Sequence, residues 1–140
     1  MADVETYIPG DTQVSFAGYE LTGCADGTFI TVEREEDSFT KHVGSDGEVS
    51  RTLNPNQSGT VTLTLKQTSD SNRVLHGLLA TDEGDGSGVD VLMVKDNLTN
   101  RAMATEAWIS KPPNMELGKE ASNREWVFQC AKIVFTPPAE

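Results

Sequence analysis

The sequence predicts a mainly β protein: an antiparallel β-sandwich or partly closed barrel with one short flanking α-helix and a long projecting β-hairpin arm. Three observations predict this fold class. Residues 60–66 alternate between apolar side chains and threonine or lysine, which is the pattern of a half-buried strand. Other short runs of apolar and β-branched residues are separated by Gly, Asn, Asp and Pro turns. One stretch, at about 70–81, has the apolar spacing of a helix instead.

The first third of the chain contains short strand patterns. Residues 13–21 offer one or two short strands, and a further strand is predicted over 28–34, after a turn at 26–27. In this strand Ile30 and Val32 would face the core, because alternate residues of a strand point to the same side.

A polar stretch at 37–59 lies between the strand patterns. Within it, residues 39–43 and 48–53 flank a Gly-Ser-Asp-Gly segment at 44–47, and glycines there permit the positive φ of a hairpin turn. A further turn is predicted at 55–59. The flanking runs are too polar for core strands, so we expect an arm that projects from the domain.

The predicted helix has Ser and Asp before its first turn as candidate caps. Its apolar face would be formed by Val74, Leu75, Leu78 and Leu79. The helix is short and contains Gly77, so tertiary packing must hold it. The following residues, 82–88, are predicted to form a flexible acidic loop.

The last third of the chain is again β. Strands at 89–95 and 101–109 are predicted to pair as a hairpin through a turn at 96–100. The last strand, at 126–136, changes the phase of its alternation near Cys130. A bulge there would explain the change, and so would burial on both faces of the strand.

Size and composition limit the possible functions. The 140 residues fit one domain, with 36% hydrophobic and 6% aromatic residues. With 11 basic and 22 acidic residues the formal charge is −11, so the chain should repel DNA and anionic lipid rather than bind them. Residues 1–10 lack the features of a secretory signal, and no run is long enough to span a bilayer. Cys24 and Cys130 are predicted to be reduced packing residues.

No catalytic, metal or cofactor site is predicted. His42 lies in the polar arm and His76 lies off the apolar face of the helix, and neither belongs to a nucleophile motif. The acidic run at 82–90 has the wrong ligand order for a calcium loop. Its glycines precede a strand rather than a helix, so a phosphate loop is not expected either.

Several segments carry a resemblance to a known family. They are residues 44–51, 58–69, 96–97, 107–113, 118–120 and 125–126. In this order they resemble the tail tube proteins of contractile-tailed bacteriophages and their prophage relatives. The likeness runs from about residue 14 to residue 135. No single segment is diagnostic, but the ordered combination is fairly specific.

The resemblance implies an architecture and partners. In that family a β-sandwich with a flanking helix assembles into hexameric rings, sheets of six subunits line a continuous lumen, and a long loop reaches onto neighbouring subunits. Rings stack into a tube that conducts DNA without specific binding. The implied partners are further copies of the chain, a tail sheath protein, a tape measure protein, a baseplate hub and a tail terminator. The implied location is the virion tail, after assembly in the host cytoplasm, without membrane insertion.

Two sets of site residues follow as expectations. The inter-subunit arm would use Phe39, His42, Ser45, Asp46, Glu48, Arg51 and Asn56. The lumen would be faced by Glu33, Glu35, Thr60, Thr62, Thr64 and Asp90, with Glu48 as a further candidate carboxylate. An acidic or neutral wall would avoid the phosphate contacts that hold DNA.

Two alternatives stay open. The first is the tube protein of a genome-free contractile injection or secretion machine, which would share the architecture. The second is a monomeric β-sandwich binding module, which should expose an aromatic platform. Trp108 and Trp126 lie within strand patterns and are expected in the core instead.

Overall fold

The fold was analysed in a computed structural model, which describes residue 6 and residues 12–24, 29–96, 101–120 and 122–136. It contains ten strands and one helix within these residues. They are β1 (Gln13–Phe16), β2 (Tyr19–Leu21), β3 (Ile30–Arg34), β4 (Phe39–Val43), β5 (Val49–Leu53), β6 (Gly59–Lys66), α1 (Ser71–Asp85), β7 (Asp90–Lys95), β8 (Arg101–Lys111), β9 (Asn123–Cys130) and β10 (Val134–Thr136). The predicted turn at 26–27, and residues 97–100 of the predicted turn at 96–100, lie outside the described residues.

Eight of the described strands form one antiparallel sheet in the order β2-β1-β7-β8-β9-β6-β3, with β10 beside β8. The sheet curls, since Cys24, just after β2, forms a bridge to Leu65 on β6. The Lys66 amide also donates to the Gly23 carbonyl at 2.9 Å. The described strands nevertheless do not close into a barrel, so the architecture is a curled, mainly β sheet with one helix, as the sequence predicts.

The concave face of the sheet carries the core. On β6 the apolar residues Val61, Leu63 and Leu65 are buried, as the alternation predicts. On β9 the Trp126 and Phe128 side chains are both 0% exposed. Because β6 and β9 pair along their length, these side chains lie in adjacent rows and bury each other.

Helix α1 covers one end of this core and is longer than predicted. It continues through Asp85 and stops at Gly86, which adopts a left-handed conformation and donates its N–H to the Asp82 carbonyl at 2.7 Å. The predicted acidic loop at 82–88 is therefore wrong for its first four residues. The side chains of Glu83 and Asp85 are exposed, and helix and loop solvate them equally well, so charge does not reveal the boundary.

Side chains of the helix seal the core by packing and by hydrogen bonds. Leu75 and Leu79 are buried, and Leu78 packs against them from a half-buried position. Asn72 accepts a hydrogen bond from Trp126 Nε1 at 2.9 Å and donates to the Lys66 carbonyl at 2.9 Å. The polar edge of the buried indole is therefore satisfied by the first turn of the helix.

The last predicted strand is two strands. β9 ends at Cys130, the chain turns through Ala131 and Lys132, and β10 then pairs with β8 instead of continuing beside β6. The phase change near Cys130 thus marks a break rather than a bulge within one strand. Buried Ile133 makes the turn possible, since it fills the core while its N–H donates to the Gln57 carbonyl at 2.8 Å.

Candidate assembly surfaces

The predicted arm is a separate two-stranded sheet made of β4 and β5. Its turn is closed by two backbone hydrogen bonds, Gly44 N–H to the Glu48 carbonyl at 2.7 Å and Gly47 N–H to the Gly44 carbonyl at 3.0 Å. Gly47 has a φ of 85°, a conformation that glycine adopts without strain and other residues rarely adopt. Asp46 Oδ1 accepts the Glu48 N–H at 3.1 Å. The turn chemistry therefore fixes the register of the arm.

The register gives the arm two different faces. Three cross-strand pairs share one face, which we call the arm face: Phe39 with Leu53, Lys41 with Arg51, and Val43 with Val49. The other face carries Thr and Ser side chains together with His42. The apolar residues of the arm face are exposed by 44% at Phe39, 54% at Val43, 63% at Val49 and 64% at Leu53. Apart from the Arg51 guanidinium, which stacks on Phe39 from the same face, they stay exposed, so the subunit leaves an apolar, cationic face open.

The root of the arm is tied by polar contacts. The Asn54 N–H donates to the Ser38 carbonyl at 2.7 Å, and the Glu35 N–H donates to the Ser58 carbonyl at 3.1 Å. Asn56 Nδ2 donates to Glu36 Oε2. These bonds hold the two ends of the arm together at the point where β3 passes into it and β6 leaves it.

The structure distributes the predicted arm residues over four places. Phe39 and Arg51 lie on the arm face, with the Arg51 guanidinium 4.2 Å from the centre of the Phe39 ring. His42 lies on the polar face. The turn contains Ser45, Asp46 and Glu48, and Asn56 lies at the root. Only the first two share a surface with the exposed apolar side chains.

The predicted lumen residues mostly share one face of the main sheet. Pairing aligns Glu33, Thr60 and Gln129 in one row, and Trp108 extends the row on β8. This surface, opposite the core, we call the threonine face; its side chains include Thr60, Thr62, Thr64, Glu33, Glu125, Val127, Gln129 and Trp108. Trp108 is half-buried there, so its predicted place in the core is wrong, while that of Trp126 is confirmed.

Not every predicted lumen carboxylate lies on the threonine face. Glu35 accepts hydrogen bonds from Thr60 Oγ1 at 3.3 Å and Ser58 Oγ at 3.4 Å, so it borders that face. Glu48 belongs to the turn of the arm. Asp90 pairs with buried Ala107 and therefore points to the core side of the sheet, so it does not share the face of Thr60.

A groove near the end of α1 was not predicted from the sequence. It has a volume of about 180 Å³ and lies between the helix and strands β1, β7 and β8. Its apolar lining is formed by Phe16, Ala17, Leu78, Leu79 and Ile109. Its polar lining includes Asp82 and Asp90, and none of the described lining residues is Lys or Arg. We call it the helix groove.

The described residues include neither a metal-binding cluster nor a membrane-spanning helix. They contain no group of three or more His, Cys, Asp or Glu side chains placed to hold a metal ion. The ring of His76 rests against that of Trp126, with 4.7 Å between centroids. Within the same residues, no helix is both long and apolar enough to cross a membrane.

Both cysteines are free thiols, and Cys130 has a strongly perturbed pKa. Burial, together with the nearby charge of Glu35, raises the pKa of the Cys130 thiol from 9.0 to about 11. Between these values the folded chain keeps a proton that the unfolded chain releases, so the stability linked to this group falls as pH rises. We expect the free energy of unfolding, measured by urea titration, to fall more steeply over this range than in Cys130→Ala. Equal slopes would contradict the perturbed thiol.

Solved structures share the fold at low sequence identity. They include the tube terminating cap of the anti-feeding prophage, with a TM-score of 0.66, 8% identity, and coverage of 98% of this chain and 95% of that chain. The sheath/tube terminator of an extracellular contractile injection system, PVC, has a TM-score of 0.64 and 11% identity over 96% and 99%. The PVC sheath-tube complex in its extended state has a TM-score of 0.63 and 7% identity, with coverage of 94% of this chain and 92% of that chain. The fold is thus that of tube and terminator proteins of contractile systems.

Sequence comparison shows to which family within this class of tube and terminator proteins the chain belongs. Residues 1–136 match the family described as the bacteriophage PhiTE tail tube protein, and the chain belongs to that family. The structural protein ORF10 of Pseudomonas phage KPP10 is 31% identical over 140 residues, which cover 93% of this chain and 80% of that protein. The chain is therefore a structural protein of a phage tail, a component of the virion and not an enzyme.

Proposed function

We propose that this chain forms hexameric rings that stack head to tail into a hollow tube, and that the tube conducts viral DNA into the host during contraction of the tail. Membership of the tail tube family supports this function. The arm is the structural observation that carries it. A two-stranded hairpin is marginally stable on its own in water, and here it also exposes a row of apolar side chains. Contact with a neighbouring subunit would stabilise both features.

The threonine face is the proposed wall of the lumen. It presents hydroxyl and amide groups with the exposed carboxylates Glu33 and Glu125, and the basic Lys66 and Lys111 lie on it where β6 and β8 end. Phosphates are held by Lys and Arg, so the row through Thr60 and Gln129, which carries neither, offers DNA little to bind. Charge repulsion extends over about 10 Å in salt, which is enough to keep a duplex from resting on the wall.

The proposed partners are other copies of the chain, the tail sheath, the tape measure, the baseplate hub and the tail terminator, assembled in the host cytoplasm. One PVC structure is a sheath-tube complex and another is a sheath/tube terminator of that injection system, which supports the sheath and terminator as partners here. The phage relative favours a genome-conducting tail over a genome-free machine. The buried position of Trp126 removes one of the two rings that an aromatic binding platform would need.

Negative-stain electron microscopy of the purified chain tests the proposal. We expect rings or hollow rods, and the fraction of rods should rise with protein concentration, because both interfaces join identical copies. Addition of a preformed baseplate extract is the companion experiment, since it supplies a template if nucleation is slow. Small, featureless particles under both conditions would contradict the proposed tube.

A further inference from the structure

We propose that the arm face of one subunit docks into the helix groove of the adjacent subunit, with Lys41 and Arg51 of the arm paired to Asp82 and Asp90 of the groove. This inference rests on the proposed function, which requires contact between copies but does not say which surfaces meet. It assigns both halves of one interface on the same chain.

The arm supplies an apolar face with a cationic centre. Lys41 and Arg51 are directly opposite each other, between the apolar pairs at either end of the face. Both basic side chains are exposed. The aliphatic parts of Lys and Arg extend an apolar contact surface while their charged ends seek carboxylates. A partner for this face must therefore combine apolar lining with negative charge.

The helix groove has that combination. Its lining is apolar along Phe16, Leu79 and Ile109, and its volume of about 180 Å³ exceeds the ~150 Å³ cavity that accommodates a benzene-sized group. An arm side chain such as Phe39 or Leu53 therefore fits by size.

The two groove carboxylates are available to an incoming cation. Asp82 accepts the Gly88 N–H at 3.0 Å and Asp90 accepts the Val91 N–H at 2.9 Å. Neither forms an ion pair with any side chain in the part of the chain that the structure describes. A carboxylate has room for further donors beyond one backbone N–H.

The positions of the two surfaces favour contact between copies. The arm leaves the sheet between β3 and β6, whereas the groove is formed by β1, β7, β8 and α1, on the other side of β9 in the strand order. No described arm residue lines the groove of its own subunit. Two different surfaces that complement each other form a head-to-tail contact, which closes into a ring or continues as a filament. The net charge of −11 makes such a local attraction the more necessary, since two copies otherwise repel each other.

Charge reversal tests the pairing. Variant K41E/R51E has an acidic arm on an acidic groove, and variant D82K/D90K has a basic groove under a basic arm. We expect each variant alone to need at least about tenfold more protein to form tubes than the unmodified chain, since like charges meet at every interface. In an equimolar mixture the two variants should alternate and restore assembly, because each arm then meets a groove of opposite charge.

The control variant K119E/K132E changes the net charge by the same amount as K41E/R51E at exposed positions away from both surfaces. It should form tubes at the concentration of the unmodified chain. Circular dichroism and thermal unfolding establish that each variant is folded. Folded variants that fail to assemble in the mixture, or a K41E/R51E variant that forms tubes normally, would overturn the inference and leave the proposed function intact. An unmodified chain that never assembles would contradict both.

Cross-linking provides a second test that changes no charge. A benzophenone amino acid replaces exposed Val49 on the arm face, and assembled protein is irradiated and analysed by mass spectrometry. We expect cross-links from the arm to the peptide that contains the end of α1 and the start of β7 in another copy. Cross-links confined to other segments would overturn the assigned partner surface.

Discussion

Replacement of residues 39–53 by an Asn-Gly turn will leave a folded subunit that no longer forms tubes. The Asn54 N–H lies 2.7 Å from the Ser38 carbonyl, so the two cut ends are already adjacent and a two-residue turn can join them. The arm pairs with no strand of the main sheet among the described residues, so its removal breaks no strand pairing of that sheet. We expect loss of rings and rods by electron microscopy and a monomeric mass by sedimentation.

The control for this excision keeps the arm and alters only its polar face. Variant T40S/T52S preserves the hydroxyl groups and leaves the arm face unchanged, so it should assemble as the unmodified chain does. If the excised chain still builds long tubes, the arm is not an assembly element. If it fails to fold, as judged by its circular dichroism and its melting transition, the arm is part of the domain core, which contradicts its description as an independent projection.

Gly59→Ala will strongly destabilise the subunit itself. A Cβ at this position would lie 2.3 Å from the Glu33 carbonyl oxygen, 2.3 Å from Ile133 Cδ1 and 3.2 Å from Arg34 Cα. The backbone cannot retreat, because Gly59 is paired with Arg34 on one side and Cys130 on the other. Overpacking of this kind costs about 1–3 kcal/mol, and more where backbone atoms must move. We expect a loss of about 3 kcal/mol or more in the free energy of unfolding, measured by urea titration.

Gly77→Ala is the matched control, because the same methyl group is added to a glycine with open space around it. Apart from the adjoining residues and the backbone of the helix itself, no heavy atom lies within 4 Å of a Cβ at Gly77, and the residue is exposed in the interior of α1. Alanine is favoured over glycine in a helix by about 1 kcal/mol, so this variant should be more stable than the unmodified chain. Equal stability of the two alanine variants would show that the junction at Gly59 relaxes without cost.

The parts of the fold that could be predicted are those with a local signal. The alternation in β6 and the glycines of the arm turn identify their elements because the period and the turn chemistry lie within a few residues. The end of α1 is different. Its last turn is acidic and solvated, and only the left-handed Gly86 stops it, so the sequence is compatible with an earlier end.

Positions set by distant partners could not be read from the sequence. The break after Cys130 depends on the vacant edge of β8, and the side to which Asp90 points depends on its pairing with Ala107. The helix groove needs β1 beside α1, β7 and β8, and β1 lies far from these three elements in the chain. A slight signal for the arm face exists, since Phe39 and Val43, and likewise Val49 and Leu53, are four positions apart and so point to the same side of a strand. The polar residues between them conceal it.

The pairing pattern of the main sheet also determines the order in which the elements can fold during synthesis. β1 pairs with β7, and β6 pairs with β9, which is synthesised much later in each case. Neither pair can therefore form until much of the chain has left the ribosome. The arm needs only its own short turn and can form much earlier. Local contacts form faster than distant ones. We therefore expect the arm of a nascent chain to form before its helix groove, which needs β7 and β8. Polymerisation would then be delayed until synthesis is nearly complete.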